Sequence, residues 1–410
     1  MNPSEILSKK TLKTCLLIYV LSQVFFLIYI QFPRIFHCEE FHYVPSAKQF
    51  LELKENRNFE HPPLAKELMA VGIGIFGDRP IGWRFMSTMF GAFTLVGMFL
   101  WGLVLFQDLE MAWAVVLLTL FNQMLYVQAR VGMLDTFMMG FLAWALAAFT
   151  LAWKFSGGNK LYAFTGLMLG LAVATKWTAL VAWVGCIALL PGKIKLKEAV
   201  LYFGVLPAMA YYFTFIPFFF VQHTPSYSFW DILYVMQANM LDGQMRVVSA
   251  HPYMSSWTSW PWMRRPIWYT YETVSNTPTL IRGVLFIGNP LIMWAGLWAI
   301  LSCTWTFFET RSKEAFLIIY FYALFLFSWA VIPRKLMFYY YYYPAGMILS
   351  LAIVFLFYDL KKLNPKWAIV GLRAFIVLSA LIFIYFFPIL ADLKIPYSQF
   401  RQLMWFDAWI

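Results

Sequence analysis

Apolar stretches about as long as a bilayer is thick recur along this chain, and a backbone placed in lipid has to satisfy its own polar groups, which favours helices. The first stretch, Cys15 to Ile30, follows Lys9, Lys10 and Lys13. It reads as a membrane span with a cytoplasmic amino terminus. A cleaved signal peptide is the rival reading, but no small-residue cleavage site follows. Windows of about 20 apolar residues place spans near 14–30, 84–106, 111–128, 133–153, 161–175, 178–190, 199–221, 284–308, 315–332, 338–358 and 371–389, about eleven in all. Hydrophobic residues make up 62% of the 410 and charged residues 12%. The chain is therefore expected to be an all-α polytopic membrane protein, with 1–410 forming a single integral-membrane domain.

The net charge of +11 would suggest nucleic acid in a soluble chain, but here the cations sort by loop. With an inside start, the cytoplasmic connections carry Lys154 and Lys160; Lys193, Lys195 and Lys197; Arg311 and Lys313; then Lys361, Lys362, Lys366 and Arg373. Topology explains most of the basicity, and no nucleic-acid partner is implied. One cytoplasmic turn, Gln107-Asp-Leu-Glu110, breaks the pattern by being acidic. Two long polar connections, 31–83 and 222–283, fall on the opposite side, where the functional surface is expected. The four cysteines, Cys15, Cys38, Cys186 and Cys303, show no metal spacing and no disulfide framework. No glycine-rich nucleotide loop, Walker motif or internal repeat is present, so an activated donor would be lipid-borne.

Chemistry concentrates in the first connection. Ile35-Phe-His-Cys-Glu-Glu-Phe-His42 places Glu39 and Glu40 between two histidines just beyond the first span. Val44 onward reads as a short interfacial helix, and His61-Pro-Pro-Leu-Ala-Lys66 follows. Farther along, Arg130 and Asp135 flank a short break between two spans. A charge at such depth costs about 2.5–3.5 kcal/mol on insertion scales, which argues for a role in a site; a structural Arg–Asp pair or a snorkelling arginine is the alternative.

Several motifs, in order, resemble those of the protein O-mannosyltransferases of the GT-C glycosyltransferase superfamily: Cys38-Glu-Glu-Phe-His-Tyr43, His61 to Lys66, Phe76-Gly-Asp-Arg-Pro-Ile-Gly-Trp-Arg84, Gln128-Ala-Arg-Val-Gly-Met-Leu-Asp135, Gly170-Leu-Ala-Val-Ala-Thr-Lys-Trp177, the stretch His251 to Trp268, and Gly288-Asn-Pro290. The resemblance runs from about residue 30 to the end. It implies a GT-C fold with two long extracytoplasmic loops. It also implies inverting transfer of mannose from a polyprenyl-phosphate carrier to a Ser or Thr hydroxyl of a translocated protein. A related enzyme with a lipid or glycan acceptor, and a non-catalytic bundle or transporter, are the alternatives. The chain lacks the large soluble sugar-binding (MIR) domain of eukaryotic members, which implies a bacterial-type enzyme in the inner membrane with its site facing the periplasm or exterior.

In this reading Glu39 matches the family's catalytic Asp and would be the general base, with Glu40 beside it positioning acceptor or loop. Glu for Asp adds about one methylene, and errors near 1 Å cost about 10²-fold. A shifted loop, a base role for Glu40, or slow catalysis would each accommodate that. Expected contacts to donor phosphate or substrate are Arg130, Asp135, His61, Lys176, His251, Arg264, Arg265 and Arg334, since guanidinium groups bind two phosphate oxygens at once. For Arg334 and Lys335 an interfacial anchor is the competing role. His37, His42 and His251 lack short ligand spacing, and the resemblance implies neither metal nor cofactor, only a lipid-linked sugar as substrate. Trp257, Trp260, Trp262, Trp268 and Tyr253 would face sugar or peptide, or form an interfacial belt among membrane lipids.

Overall fold

The computed structural model describes residues 6, 8–56, 58–155, 158–246, 250–274 and 280–410. Residue 57 of the first long connection and residues 247–249 and 275–279 of the second lie outside that set. Among the described residues, eight helices are long and apolar enough to cross a membrane: Lys9–Leu27, Pro80–Phe106, Leu134–Phe155, Leu196–Phe220, Pro290–Thr310, Lys313–Ala330, Tyr339–Leu363 and Pro365–Leu390. Two shorter apolar helices, Leu109–Phe121 and Trp177–Ala188, and the 17-residue helix Asn159–Thr175 fall on the remaining apolar windows. The protein is an integral, multi-pass membrane protein.

Local chemistry sets the boundaries. Asn289 caps the helix that Pro290 opens, its side chain accepting from Leu291 N–H, and Ser312 does the same for Ala315. Lys176 interrupts the apolar run 161–190 with an extended backbone (φ −158°, ψ 128°) between two helices, which accounts for the shortness of both segments. The window at 284–308 differs from expectation. Its first residues belong to a strand, and the helix begins only at Pro290.

The chain divides into two compact units, Met1–Gly97 with Gln128–Val248, and Met98–Val127 with Ser249–Ile410. In the first, helix Asn159–Thr175 packs against the helical segment around Tyr202–Pro207, and the approach needs glycine. A Cβ on Gly170 would lie 2.5 Å from the Pro207 carbonyl oxygen and 2.9 Å from the Ala210 Cβ. In the second unit, the acidic turn finds its cations. Asp108 caps helix Leu109–Phe121 and pairs with Lys361, while Glu110 pairs with Arg373 at 2.7 Å. Both partners belong to the basic set expected on the cytoplasmic side, so the turn departs from the charge rule without a net anionic cost.

A small antiparallel sheet, absent from the all-helical expectation, organises the second unit's loop: β1 (Ile267–Thr273), β2 (Leu280–Phe286) and β3 (Ile395–Pro396), in that order. A register shift between Trp268 and Thr270 marks a bulge in β1. The carboxy-terminal segment is tied to this loop. Trp268 Nε1 donates to the Trp409 carbonyl at 2.8 Å and Trp409 Nε1 to the Met263 carbonyl at 2.7 Å. Replacing Gly170 by Ala is expected to destabilise the detergent-solubilised protein by about 1–3 kcal/mol. Gly204→Ala, where a Cβ meets nothing within 4 Å, serves as the control, and thermal unfolding compares the two.

Candidate active site

A tight turn directs the two carboxylates. His37 C=O accepts from Glu40 N–H at 3.1 Å, and Cys38 sits in the left-handed region at φ 49°. Glu39 then becomes the N-cap and Glu40 the first residue of helix Glu40–Leu51. The outcome is asymmetric: Glu40 is fully buried, whereas Glu39 is half-buried.

Glu40 is held from three sides. Arg84 Nε donates to Oε1 at 2.7 Å and Arg84 Nη2 to Oε2 at 2.8 Å. Gly132 N–H donates to Oε1 at 2.8 Å and His37 N–H to Oε2 at 3.2 Å. Arg84 completes its set on backbone carbonyls, with Nη1 donating to Ile30 and Pro33 and Nη2 to Ile35. Burial alone would raise the Glu40 carboxyl, but the Arg84 charge and the hydrogen bonds from Arg84 and Gly132 outweigh it and hold the group below its ordinary value. Burial drives the neighbouring His37 imidazole down to about 3, against the pull of Glu40 and with the charges of Arg84 and Arg130 adding to it. His37 is therefore neutral at physiological pH.

A second buried pair lies beside the first. Asp135, in the first turn of helix Leu134–Phe155, receives Lys176 Nζ on both oxygens, at 2.8 and 2.7 Å. The break at Lys176 delivers that ammonium group. Asp135 thus pairs with Lys176 41 residues away and uses both of its oxygens there. Arg130 is 6% exposed and close enough to act on His37. The cluster holds three carboxylates, Glu39, Glu40 and Asp135, and three cations, Arg84, Arg130 and Lys176.

His61 reaches the same unit from the turn before helix Leu64–Phe76. Its ring lies 6.1 Å from that of Tyr43, and Tyr43 N–H bonds the Glu39 carbonyl one turn along the helix. Lys66, fully buried, pins this turn by donating to the carbonyls of Asn58 and His61. Burial lowers its ammonium to about 7, with Glu60 and Glu67 opposing. Sequence reading passed over Arg84 and Lys66 as site residues. Their signal was a cation at the first residue of an apolar window, and another three residues after a Pro-Pro turn.

The other expected residues belong to the second unit. His251 is exposed, with Nδ1 accepting from Tyr253 N–H at 3.1 Å and its ring edge-on to Phe338. Arg264 is exposed. Arg265 is given to the Pro252 and Ala408 carbonyls and lies over the Tyr253 ring. Arg334 donates to the Leu336 carbonyl and stacks on Tyr341. Trp260 is almost fully buried among aromatic rings, while Trp262 is exposed. The structure therefore gathers Glu39, Glu40, Arg130, Asp135, Lys176 and His61 in one unit and places His251, Arg264, Arg265 and Arg334 in the other. Among the described residues, no group of three or more His, Cys, Asp or Glu side chains is arranged to hold a metal ion.

Glu40 is ionised in the folded state, with a pKa below the ordinary value of 4.5. Its contribution is thus fully present above about pH 4.5 and is lost as pH falls through the folded value. Glu40→Gln or Arg84→Met leaves a buried charge uncompensated and is expected to cost about 3–5 kcal/mol. Thermal unfolding across pH 3–7 checks both, with the acid-induced loss smaller in Glu40→Gln than in the parent.

Residues 60–218 match the family described as dolichyl-phosphate-mannose-protein mannosyltransferase, and residues 229–409 match the C-terminal four-transmembrane region of protein-O-mannosyltransferase. A polyprenol-phosphate-mannose–protein mannosyltransferase of Corynebacterium glutamicum is 25% identical over 90% of this chain and 88% of its own. Its counterpart in Mycolicibacterium smegmatis is 22% identical over 90% and 87%. The fold is that of the Saccharomyces cerevisiae Pmt1–Pmt2 complex bound to the sugar donor (TM-score 0.80, 14% identity, 96% of this chain and 92% of that one). A weaker likeness joins it to ArnT of Cupriavidus metallidurans bound to undecaprenyl phosphate (TM-score 0.56, 16% identity, 82% and 59%). With the two family matches together taking in most of the sequence, and Arg84, Arg130, Asp135 and Lys176 lying inside the first of them, the chain is a glycosyltransferase of the protein O-mannosyltransferase family, with the GT-C membrane fold.

Proposed function

We propose that the protein transfers mannose from a polyprenyl-phosphate carrier to Ser or Thr hydroxyls of translocated proteins, with inversion, and that Glu39 is the general base. The observation that carries the assignment is the contrast between the two carboxylates. Glu40 has both oxygens engaged by Arg84, Gly132 and His37, whereas Glu39 is half-buried at the mouth of the same helix. Glu40 is a positioning residue on this reading.

The acceptor oxygen attacks the anomeric carbon, the bond from that carbon to the phosphate oxygen breaks, polyprenyl phosphate departs, and the hydroxyl proton passes to the Glu39 carboxylate. Arg130 is the cation assigned to the departing phosphate, because its guanidinium can bind two phosphate oxygens and lies close enough to act on His37 beside the carboxylates. Asp135 then acts by fixing Lys176, and His61 is assigned to substrate binding. In the second unit Arg264 and His251 are exposed, while Arg265 and Arg334 bond main-chain carbonyls. The displacement as written uses no cofactor beyond the lipid-linked donor. The basic short connections support an orientation with the long connections outside the cytosol, and the bacterial relatives support a bacterial plasma membrane, with membrane lipids as the surrounding partners.

Transfer of radiolabelled mannose from polyprenyl-phosphate-mannose to a Ser/Thr peptide tests this. Glu39→Gln is expected to lower kcat by about 10²- to 10⁴-fold with the melting temperature unchanged, whereas Glu40→Gln is expected to lower the melting temperature. Equal activity of Glu39→Gln and parent, or transfer only to a lipid or glycan acceptor, would overturn the assignment.

A further inference from the structure

In the first unit, the second long connection turns back along the span that feeds it. Span Leu196–Phe220 leads into the connection, where Asp231–Val235 and Met236–Arg246 run on as one helical stretch, a π turn followed by α. That stretch is tied to the side of the span. Tyr211 Oη donates to Gln237 Oε1 at 2.6 Å, and Tyr212 Oη to the Leu233 carbonyl at 3.4 Å. The two tyrosines stand eight and nine residues before Phe220, roughly 12–14 Å down the span at about 1.5 Å per residue. Helical side chains lean toward the amino terminus, which here takes the two hydroxyls deeper still. The span is 25 residues long, about 37 Å against a hydrocarbon core of about 30 Å. The start of the stretch therefore lies level with membrane-embedded turns of the span, not above them.

Its two faces differ. Ile232 and Met240 are buried, and Gln244 Nε2 donates to the Glu60 carbonyl at 2.8 Å, so one face packs on the first connection. The other is apolar and open. Phe229, Trp230 and Tyr234 are 60%, 61% and 62% exposed, and Leu241 and Met245 are also more than half exposed. Trp230 and Tyr234 stack with centroids 5.6 Å apart, and Phe229 stands edge-on to Trp230. Beside them, Met209, Phe213 and Ile216 are exposed on the turns of the span that carry the two tyrosines. The single cation of the stretch, Arg246, pairs with Asp242 at 2.7 Å.

We infer that this stretch is a membrane-docking element, with Trp230, Tyr234, Leu241 and Met245 seated between headgroups and acyl chains of the leaflet on the side of the long connections. Depth identifies the occupant. An open apolar face level with embedded turns of a span continues the lipid-facing surface of that span, and a polypeptide would have to displace lipid to reach it. Trp and Tyr rings suit the boundary because each has an apolar body and a polar tip. With Arg246 already paired, the attraction is burial of apolar area, so neutral lipid suffices. Tyr211 Oη also accepts from Trp177 Nε1 at 3.0 Å, so the docked stretch is linked through one tyrosine to the neighbour of Lys176.

Photocrosslinking of the full-length protein in phosphatidylcholine nanodiscs tests this, with benzoylphenylalanine placed singly at Trp230, Tyr234, Leu241 or Met245 and, for comparison, at Asn239 or Arg246. Intact mass is expected to show about five- to tenfold more phospholipid adduct at the first four positions than at the last two. Equal adducts at all six positions would overturn the assignment, as would a covalent dimer in place of lipid adducts, which would mark a face for a second copy. A nitroxide at Tyr234 or Leu241, in protein whose four native cysteines are replaced and whose melting temperature is retained, gives a second measurement. It should be more accessible to oxygen than to a water-soluble nickel chelate, at about 5–10 Å below the headgroups, with the order reversed at Asn239. Nickel accessibility at Tyr234 and Leu241 equal to that at Asn239 would overturn the docking.

Discussion

The buried pair of Glu40 and Arg84 is the interaction on which the first unit's functional loop depends. Removing two full charges from water costs several kcal/mol for each ion, and their attraction compensates only if every remaining donor and acceptor is also satisfied. Here the match is complete on the arginine side. A guanidinium offers five N–H donors, and Arg84 places them on the two Glu40 oxygens and on the carbonyls of Ile30, Pro33 and Ile35. Those carbonyls belong to the chain as it leaves the first span, so the pair fixes where that span ends, where helix Glu40–Leu51 starts, and how both meet helix Pro80–Phe106.

From that constraint follows the exposure of Glu39. With Glu40 turned inward and Cys38 in a left-handed turn, the adjacent carboxylate has to leave the helix start in another direction. Gly132 adds a further condition, for its N–H reaches Glu40 and a Cβ on it would stand 3.4 Å from a Glu40 oxygen. The loop carrying Arg130 is thereby set at a fixed height relative to the carboxylates. The Lys176–Asp135 pair repeats the device one layer on. Two long-range ion pairs brace the cluster.

Much of this was legible in the sequence, for identifiable reasons. Apolar windows found the helices because lipid imposes a minimum length, and they found the break near Lys176 because a cation interrupts the pattern. Glu39 and Glu40 stood out because two carboxylates at a membrane rim are costly. The partners were not legible. Asp135 sits five residues from Arg130 in sequence, whereas Lys176 is brought alongside it only by folding. Arg84 carried no local sign that its acceptors would be three carbonyls and a carboxylate 44 residues away. The sheet was missed because Leu280–Phe286 is as apolar as the helix that follows, and apolar content alone does not separate a buried strand from a span.

The kind of acceptor that holds a cation decides what the cation still does. A carboxylate cancels the charge it binds, so Arg84 and Lys176 add little net field to the first unit's cluster. A carbonyl orients the group without cancelling it. Arg265 and Arg334 are each oriented on the second unit by main-chain oxygens. Their structural duty and an electrostatic role toward an anionic ligand are therefore compatible, and the field they contribute is fixed in place before any ligand arrives.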